Sequence, residues 1–287
     1  MISILYYYLK NGGFIMATCK MNIFSCMLGR QTSFCVILPE AGMMEAVTGQ
    51  AKDYYKPGMK YQVLWLLHGF GGDEEDYIKW TNVVRYAQDN KLMVVMPSAY
   101  NGAYVDKEYG EKYTRFVAEE LPKIIYSTFP ASSKREDNFI AGLSMGGAGA
   151  MLLGLAYPEK YSYVYCMSGA CTPMEQPGQA ITWFGDYGYN GMLGRNDLKN
   201  KDTIYDGYSM ISKNKDKDMP SFTITCGSAD VMALDNCKVA YEELKKNGYH
   251  VNFDEIPNYN HEWDFWDLQI KKAILEVLPL KRKPIYK

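Results

Sequence analysis

The segment FIAGLSMGGAGAM, residues 139–151, sets Ser144 between glycines where an apolar run gives way to small, helix-favouring residues. A hydroxyl is a weak nucleophile until a base takes its proton. Ser144 can therefore do chemistry only if the fold delivers a base and a group to orient it. The chain has three histidines, His68, His250 and His261. His250 opens a strand among polar neighbours and reads as structural. His68 ends the buried run KYQVLWLLHG and reads as a hydrogen-bonding brace for the loop after it. His261 lies in PNYNHEWDFWD, between the last strand and the last helix, where a side chain can reach the carboxyl edge of a sheet. It is the candidate base.

An imidazole acting this way needs a carboxylate to fix its tautomer and stabilise its cation. Asp230 ends the run FTITCGSAD and is the candidate. Asp235 is the runner-up but reads as the start of the next helix, while Asp264 and Asp267 read as helix-end or surface groups. The developing oxyanion also needs donors. HGFGG supplies a flexible loop, so the backbone N–H groups of Phe70 and Met145 are the expected pair. One such donor typically contributes about 3 to 4 kcal/mol to the transition state. Tyr104, Trp183 and Trp263 are candidate substrate-contacting walls, with ordinary packing an equal alternative. Only three histidines, and scattered cysteines without a CxxC pair, argue against a metal site, so no metal is expected.

These residues need a scaffold. YQVLWLL, LMVVMPSA, FIAGLS, YSYVYCMSGA, FTITCGSAD and HVNFDEIP read as strands, several of them apolar on both faces. Amphipathic segments alternate with them: DYIKWTNVVRYAQDN as one helix, Tyr113 to Ile125 as another kinked at Pro122, then MGGAGAMLLGLAYPE, DNCKVAYEELKKNGY and WDFWDLQIKKAILEVL. MNIFSCML and SFCVILPE read as a leading strand pair. Such alternation predicts an α/β fold, a mostly parallel sheet of about eight strands with helices on both faces. Ser144 then sits on a strand–turn–helix elbow, the context that raises a short Gly-x-Ser-x-Gly match above a weak signal. Residues 172–218 break the alternation and read as a cap-like insertion over the carboxyl edge.

The chain has 287 residues, 47% hydrophobic and 22% charged, enough for one large domain with a buried core. A net charge of −2 argues against nucleic-acid or anionic-membrane partners. The basic end KRKPIYK reads as a solvated tail. Seven cysteines, odd in number and without a CxxC pair, fit a reducing cytoplasm. The opening segment MISILYYYLKNGGFIM reads as too short to span a membrane and as a poor signal peptide. Asn-Gly-Gly-Phe-Ile-Met can be encoded with GGAGG shortly before the Met16 codon. The expectation is therefore a non-native or disordered extension over 1–15 and a single domain over 16–287.

The segments LLHGFGG, GLSMGGAGA, CGSADVMALDN and HEWDFWD together resemble the esterase D and tributyrin-esterase group of α/β-hydrolases, close to bacterial feruloyl and acetylxylan esterases. The resemblance runs from about Met16 to Leu278. It implies an α/β-hydrolase fold and a serine carboxylesterase with Ser144, Asp230 and His261 as its triad and no cofactor. It also implies short acyl groups such as acetyl or butyryl on small-molecule or plant-carbohydrate alcohols. The chain departs from many members in carrying NYN, not a glycine pair, before His261. An S-formylglutathione hydrolase-like thioesterase, an acyltransferase and a non-catalytic binding protein on the same fold are the alternatives. Homo-oligomerisation is left open.

Overall fold

The computed structural model describes residues 3–6, 17–107, 109–169 and 206–286. In Gln62–Leu67 (β4), every residue is buried. Val63, Trp65 and Leu67 enter one core cluster while Leu64 and Leu66 enter another. Successive side chains of a strand point to opposite faces, so a strand buried throughout must lie inside a sheet covered on both sides. Leu92–Pro97 (β5) and Asn138–Leu143 (β6) have the same character. The Trp65 indole N–H, inside the core, donates to Asn138 Oδ1 at 3.0 Å, so its burial leaves no unpaired donor.

Six further strands complete the sheet: Ser3–Tyr6 (β1), Ala17–Ser25 (β2), Arg30–Leu38 (β3), Tyr163–Met167 (β7), Ser221–Gly227 (β8) and Val251–Ile256 (β9). The order is β1-β2-β3-β5-β4-β6-β7-β8-β9. From β5 to β9 all neighbours are parallel, whereas β1, β2 and β3 join antiparallel. The ninth strand, one more than expected, is β1, which falls within the segment read as an extension. β4 and β6 are neighbours, and the connection leaving β4 runs to β5 on one side while that leaving β6 runs to β7 on the other. That reversal opens a crevice at the carboxyl ends of the strands, where α/β sheets bind ligands.

Helices Leu121–Thr128 and Met145–Ala156 cover one face, and Val83–Asp89 and Trp263–Lys272 the other. Among the described residues no helix is long and apolar enough to cross a membrane.

Three elements differ from the sequence expectation. DYIKWTNVVRYAQDN forms two helices, Asp76–Trp80 and Val83–Asp89. At the break, the Thr81 hydroxyl donates to Tyr77 O and Asp267 accepts the Asn82 N–H, so side chains take over the backbone groups. Ahead of Pro122 the chain does not simply kink but widens into a π turn, Phe116–Glu120, because proline cannot donate one turn back. Gly207–Asn214, inside the stretch read as a cap, is a helix with Ile211 fully buried, and Asn214 donates to Leu155 O at 2.8 Å. It belongs to the layer over the sheet. Residues 170–205 lie outside the described residues.

Candidate active site

β6 ends at Leu143 and the helix Met145–Ala156 begins two residues later, leaving Ser144 alone to make the turn. Its backbone sits at φ 51 and ψ −117, a region that costs a residue with a Cβ roughly 1–3 kcal/mol. The Ser144 N–H donates to Met167 O at 2.8 Å, tying the turn to the end of β7. Glycine is required on both sides. A Cβ on Gly142 would lie 2.2 Å from Gly146 O, and one on Gly146 would lie 2.1 Å from Leu67 O. These bare backbones let the helix settle against β4 and β6, which aims the serine side chain at the crevice.

Asp230 and His261 arrive from the ends of β8 and β9. Their loops are fastened to each other: Ala229 N–H donates to Tyr259 O at 3.0 Å and Asn258 N–H to Ser228 Oγ at 2.9 Å. The His261 Nδ1 is 2.8 Å from Asp230 Oδ2, and its Nε2 is 2.9 Å from Ser144 Oγ. An ionised carboxylate only accepts, so Nδ1 carries the hydrogen and Nε2 is bare toward the serine. The Asp230 side chain is wholly buried and that of His261 is 18% exposed. Burial pushes the Asp230 carboxyl up. Hydrogen bonding and charge from His261, the Ser168 hydroxyl and the Ala233 N–H outweigh it, holding the group below its ordinary value. The Met232 and Ala233 N–H groups each reach Oδ1 at 3.1 Å. Asp230 is thus a fixed anion and a fixed acceptor.

Met145 opens a helix, so its N–H belongs to the first turn, whose donors have no intrahelical acceptor. The facing loop is set by His68. Its Nδ1–H donates to Gly69 O at 2.7 Å and its Nε2 accepts the Ala99 N–H at 2.9 Å. Burial lowers its pKa, favouring the neutral ring those bonds require. A Cβ on Gly69 would stand 3.6 Å from Ser144 Cβ, so the Gly69–Phe70 peptide runs beside the serine.

The remaining sequence candidates separate. Tyr104 is fully buried and its hydroxyl donates to His68 O at 3.0 Å, so it braces that loop from the core and is not a solvent-facing wall. Trp263 is partly buried, packed edge-on to Trp266 at 5.1 Å and stacked on Trp80 at 6.3 Å, close along the chain to His261. Trp183 lies outside the described residues. The His250 ring is 3.1 Å from Ser221 Oγ at the start of β8, away from Ser144, and Asp267 accepts from Asn82 and Tyr86. Sequence reasoning passed over Ser168 and Trp266. Ser168 is 2% exposed at φ 48, its hydroxyl engages Asp230, and it accepts the Trp266 indole N–H at 3.3 Å. A hydroxyl residue directly after a parallel strand was the available signal.

The Esterase family model matches residues 42–276. The chain belongs to this esterase family. An acetyl esterase of Caldicellulosiruptor saccharolyticus is 30% identical over 266 residues, covering 90% of this chain and 97% of that protein. The solved structure of the Staphylococcus aureus fluorophosphonate-binding serine hydrolase FphF, substrate bound, is 29% identical with a TM-score of 0.79, covering 92% of this chain and 98% of that one. The S-formylglutathione hydrolase FrmB of the same organism is 30% identical with a TM-score of 0.76, covering 92% and 99%. The esterase therefore has the α/β-hydrolase fold and is a serine hydrolase acting on carboxylic esters.

Proposed function

We propose that this esterase removes short acyl groups, of acetyl or butyryl size, from small-molecule or carbohydrate alcohols through Ser144, His261 and Asp230. The observation that carries the reading is the continuous relay from Asp230 Oδ2 through the two His261 nitrogens to Ser144 Oγ, at 2.8 and 2.9 Å. Ser144 Oγ attacks the ester carbonyl as His261 Nε2 takes its proton. The Phe70 and Met145 N–H groups receive the oxyanion. The protonated imidazole, held by Asp230, then gives its proton to the leaving alkoxide. Water, deprotonated by the same nitrogen, attacks the acyl-enzyme and frees the acid and the serine. No cofactor enters these steps. The likeness to an acetyl esterase supports a short acyl group, and the odd, unpatterned cysteines support a reducing cytoplasm as the working compartment.

Hydrolysis of p-nitrophenyl acetate, butyrate and octanoate by wild type and Ser144→Ala tests this. Activity falling from acetate to octanoate and lost in a folded Ser144→Ala is expected. Equal activity in both proteins would refute the nucleophile. The likeness to FrmB favours one second reading, thioester hydrolysis, which the same assay with S-formylglutathione would reveal as the faster reaction.

A further inference from the structure

The basic end KRKPIYK, expected to be a solvated tail, is folded onto the protein. Ile285 and Lys60 exchange backbone hydrogen bonds of 2.7 and 2.8 Å. The Gln62 side chain accepts the Lys281 N–H at 2.6 Å and donates to Pro279 O at 3.2 Å. Gln62 opens β4, so the tail crosses the amino edge of the parallel strands, the end of the sheet opposite Ser144.

Between this tail and the segment around Glu45 and Tyr54 lies a cavity of about 600 Å³. Its described lining holds the cations Lys91, Lys281, Arg282 and Lys283, and Glu45 as the carboxylate. Two of the cations are matched: Lys91 pairs with Glu45 at 2.7 Å, and Lys281 with the buried Asp137 at 2.7 Å. Arg282 is held differently. Its Nε donates to Asn90 Oδ1 at 2.8 Å and its Nη2 to Leu275 O at 2.5 Å, both neutral acceptors. Its backbone sits at φ 53, a conformation that costs a non-glycine residue about 1–2 kcal/mol. Lys283 is exposed and has no partner among the described residues. The fold thus uses a strained backbone and two neutral hydrogen bonds to fix a guanidinium that has no carboxylate partner among the described residues, beside a second cation of which the same holds. Tyr54 and Tyr286 line the same space; Tyr54 is buried with the Lys91 ammonium 5.3 Å from its ring centre, while Tyr286 is 44% exposed with the Lys56 ammonium 5.8 Å from its ring centre.

We propose that this cavity binds a small organic anion carrying a flat ring, with the anionic group between Arg282 and Lys283 and the ring against the exposed side of Tyr286. An immobilised guanidinium presents paired N–H donors matched to phosphate or carboxylate oxygens. The volume is that of a small-molecule site, and an inorganic ion alone would fill little of it. The site is separate from the ester chemistry and does not depend on it.

Calorimetric titration of the full chain with 4-nitrophenyl phosphate, which has no carboxylic ester bond, tests the proposal. 4-Nitrobenzoate compares the two anion classes, and 4-nitrophenol and inorganic phosphate supply the ring or the anion alone. Saturable binding is expected, tighter than for either part. It should weaken about tenfold or more in Lys283→Glu and in Arg282→Ala, as for loss of a charge-assisted bond, and fall in about 0.5 M salt. Ser144→Ala should bind unchanged. Lys283 is exposed, so its variant reads binding without risk to folding. Absence of saturable heat, binding undiminished in Lys283→Glu, or binding lost in Ser144→Ala would each overturn the proposal.

Discussion

The imidazole of His261 stands at 89° to the indole of Trp266, with ring centroids 5.0 Å apart. Trp266 is 6% exposed, and its indole N–H is tied to Ser168. The candidate base is therefore held along its ring edge by hydrogen bonds to two side chains and from its flank by a third that cannot turn. Through Ser168 the same contact reaches back to Asp230. Trp266→Ala should cost about 3–5 kcal/mol of stability, as other large-to-small aromatic core changes do. Trp266→Phe keeps a ring but drops the bond to Ser168. It should fold and show a lower kcat with an unchanged KM. Urea denaturation and steady-state kinetics on the two variants would check both statements.

The strained turn at Ser144 gives a prediction that activity alone cannot. Ser144→Ala and Ser144→Gly should both be inactive, yet differ in stability. Alanine keeps a Cβ at φ 51, whereas glycine relieves a strain of roughly 1–3 kcal/mol. That relief exceeds the roughly 0.5–1 kcal/mol of chain entropy glycine costs elsewhere. Ser144→Gly should be the more stable of the two by chemical denaturation. The reverse order would mean that the turn is not strained.

Gly146→Ala should disturb the site without touching a reacting group. Its Cβ would meet Leu67 O at 2.1 Å and His68 O at 2.6 Å, both backbone atoms of the strand end that carries the Phe70 loop. Overpacking of this kind costs about 1–3 kcal/mol. The expected result is a lower melting temperature and a lower kcat in the fraction that remains folded.

Asp230 makes a pH prediction. Its carboxyl titrates below the ordinary 3.8 in the folded protein, so folding favours the ionised form. The resulting stability is fully present above the unfolded-state value and is lost as pH falls through the folded one. The stability difference between wild type and Asp230→Asn should be constant from about pH 7 to 5 and shrink below about pH 4. The same substitution removes the acceptor that fixes the His261 tautomer. It should lower kcat by about ten-thousand-fold at pH 7, the scale such a change has in serine hydrolases.

Much of this architecture is written locally. The buried runs of β4, β5 and β6 are apolar because both faces of an inner strand are covered, and that pattern needs only neighbouring residues to recognise. The glycines around Ser144 are equally legible, since a tight strand–turn–helix excludes side chains from Gly142 and Gly146. The two-helix break at Thr81 and Asn82 was only half legible, because Thr81 acts locally but the acceptor of the Asn82 N–H is Asp267, 185 residues further on. Tyr104 looked like a pocket wall for the same reason. Only the packed fold shows its hydroxyl spent on His68 O and its ring filling the space beside Gly149.

By itself the sequence determined the eight strands from β2 to β9, most of the helices, the parallel sheet and the chain order Ser144, Asp230, His261, all of which follow from residue type and short-range period. The tertiary structure alone decided that residues 117 positions apart stand 2.9 Å from each other. It alone brought Ser168 and Trp266 in behind them and closed the basic tail over a cavity. Those outcomes depend on which strand ends become neighbours. Strand order is fixed by the packing of whole faces, and no local stretch of the chain carries that information.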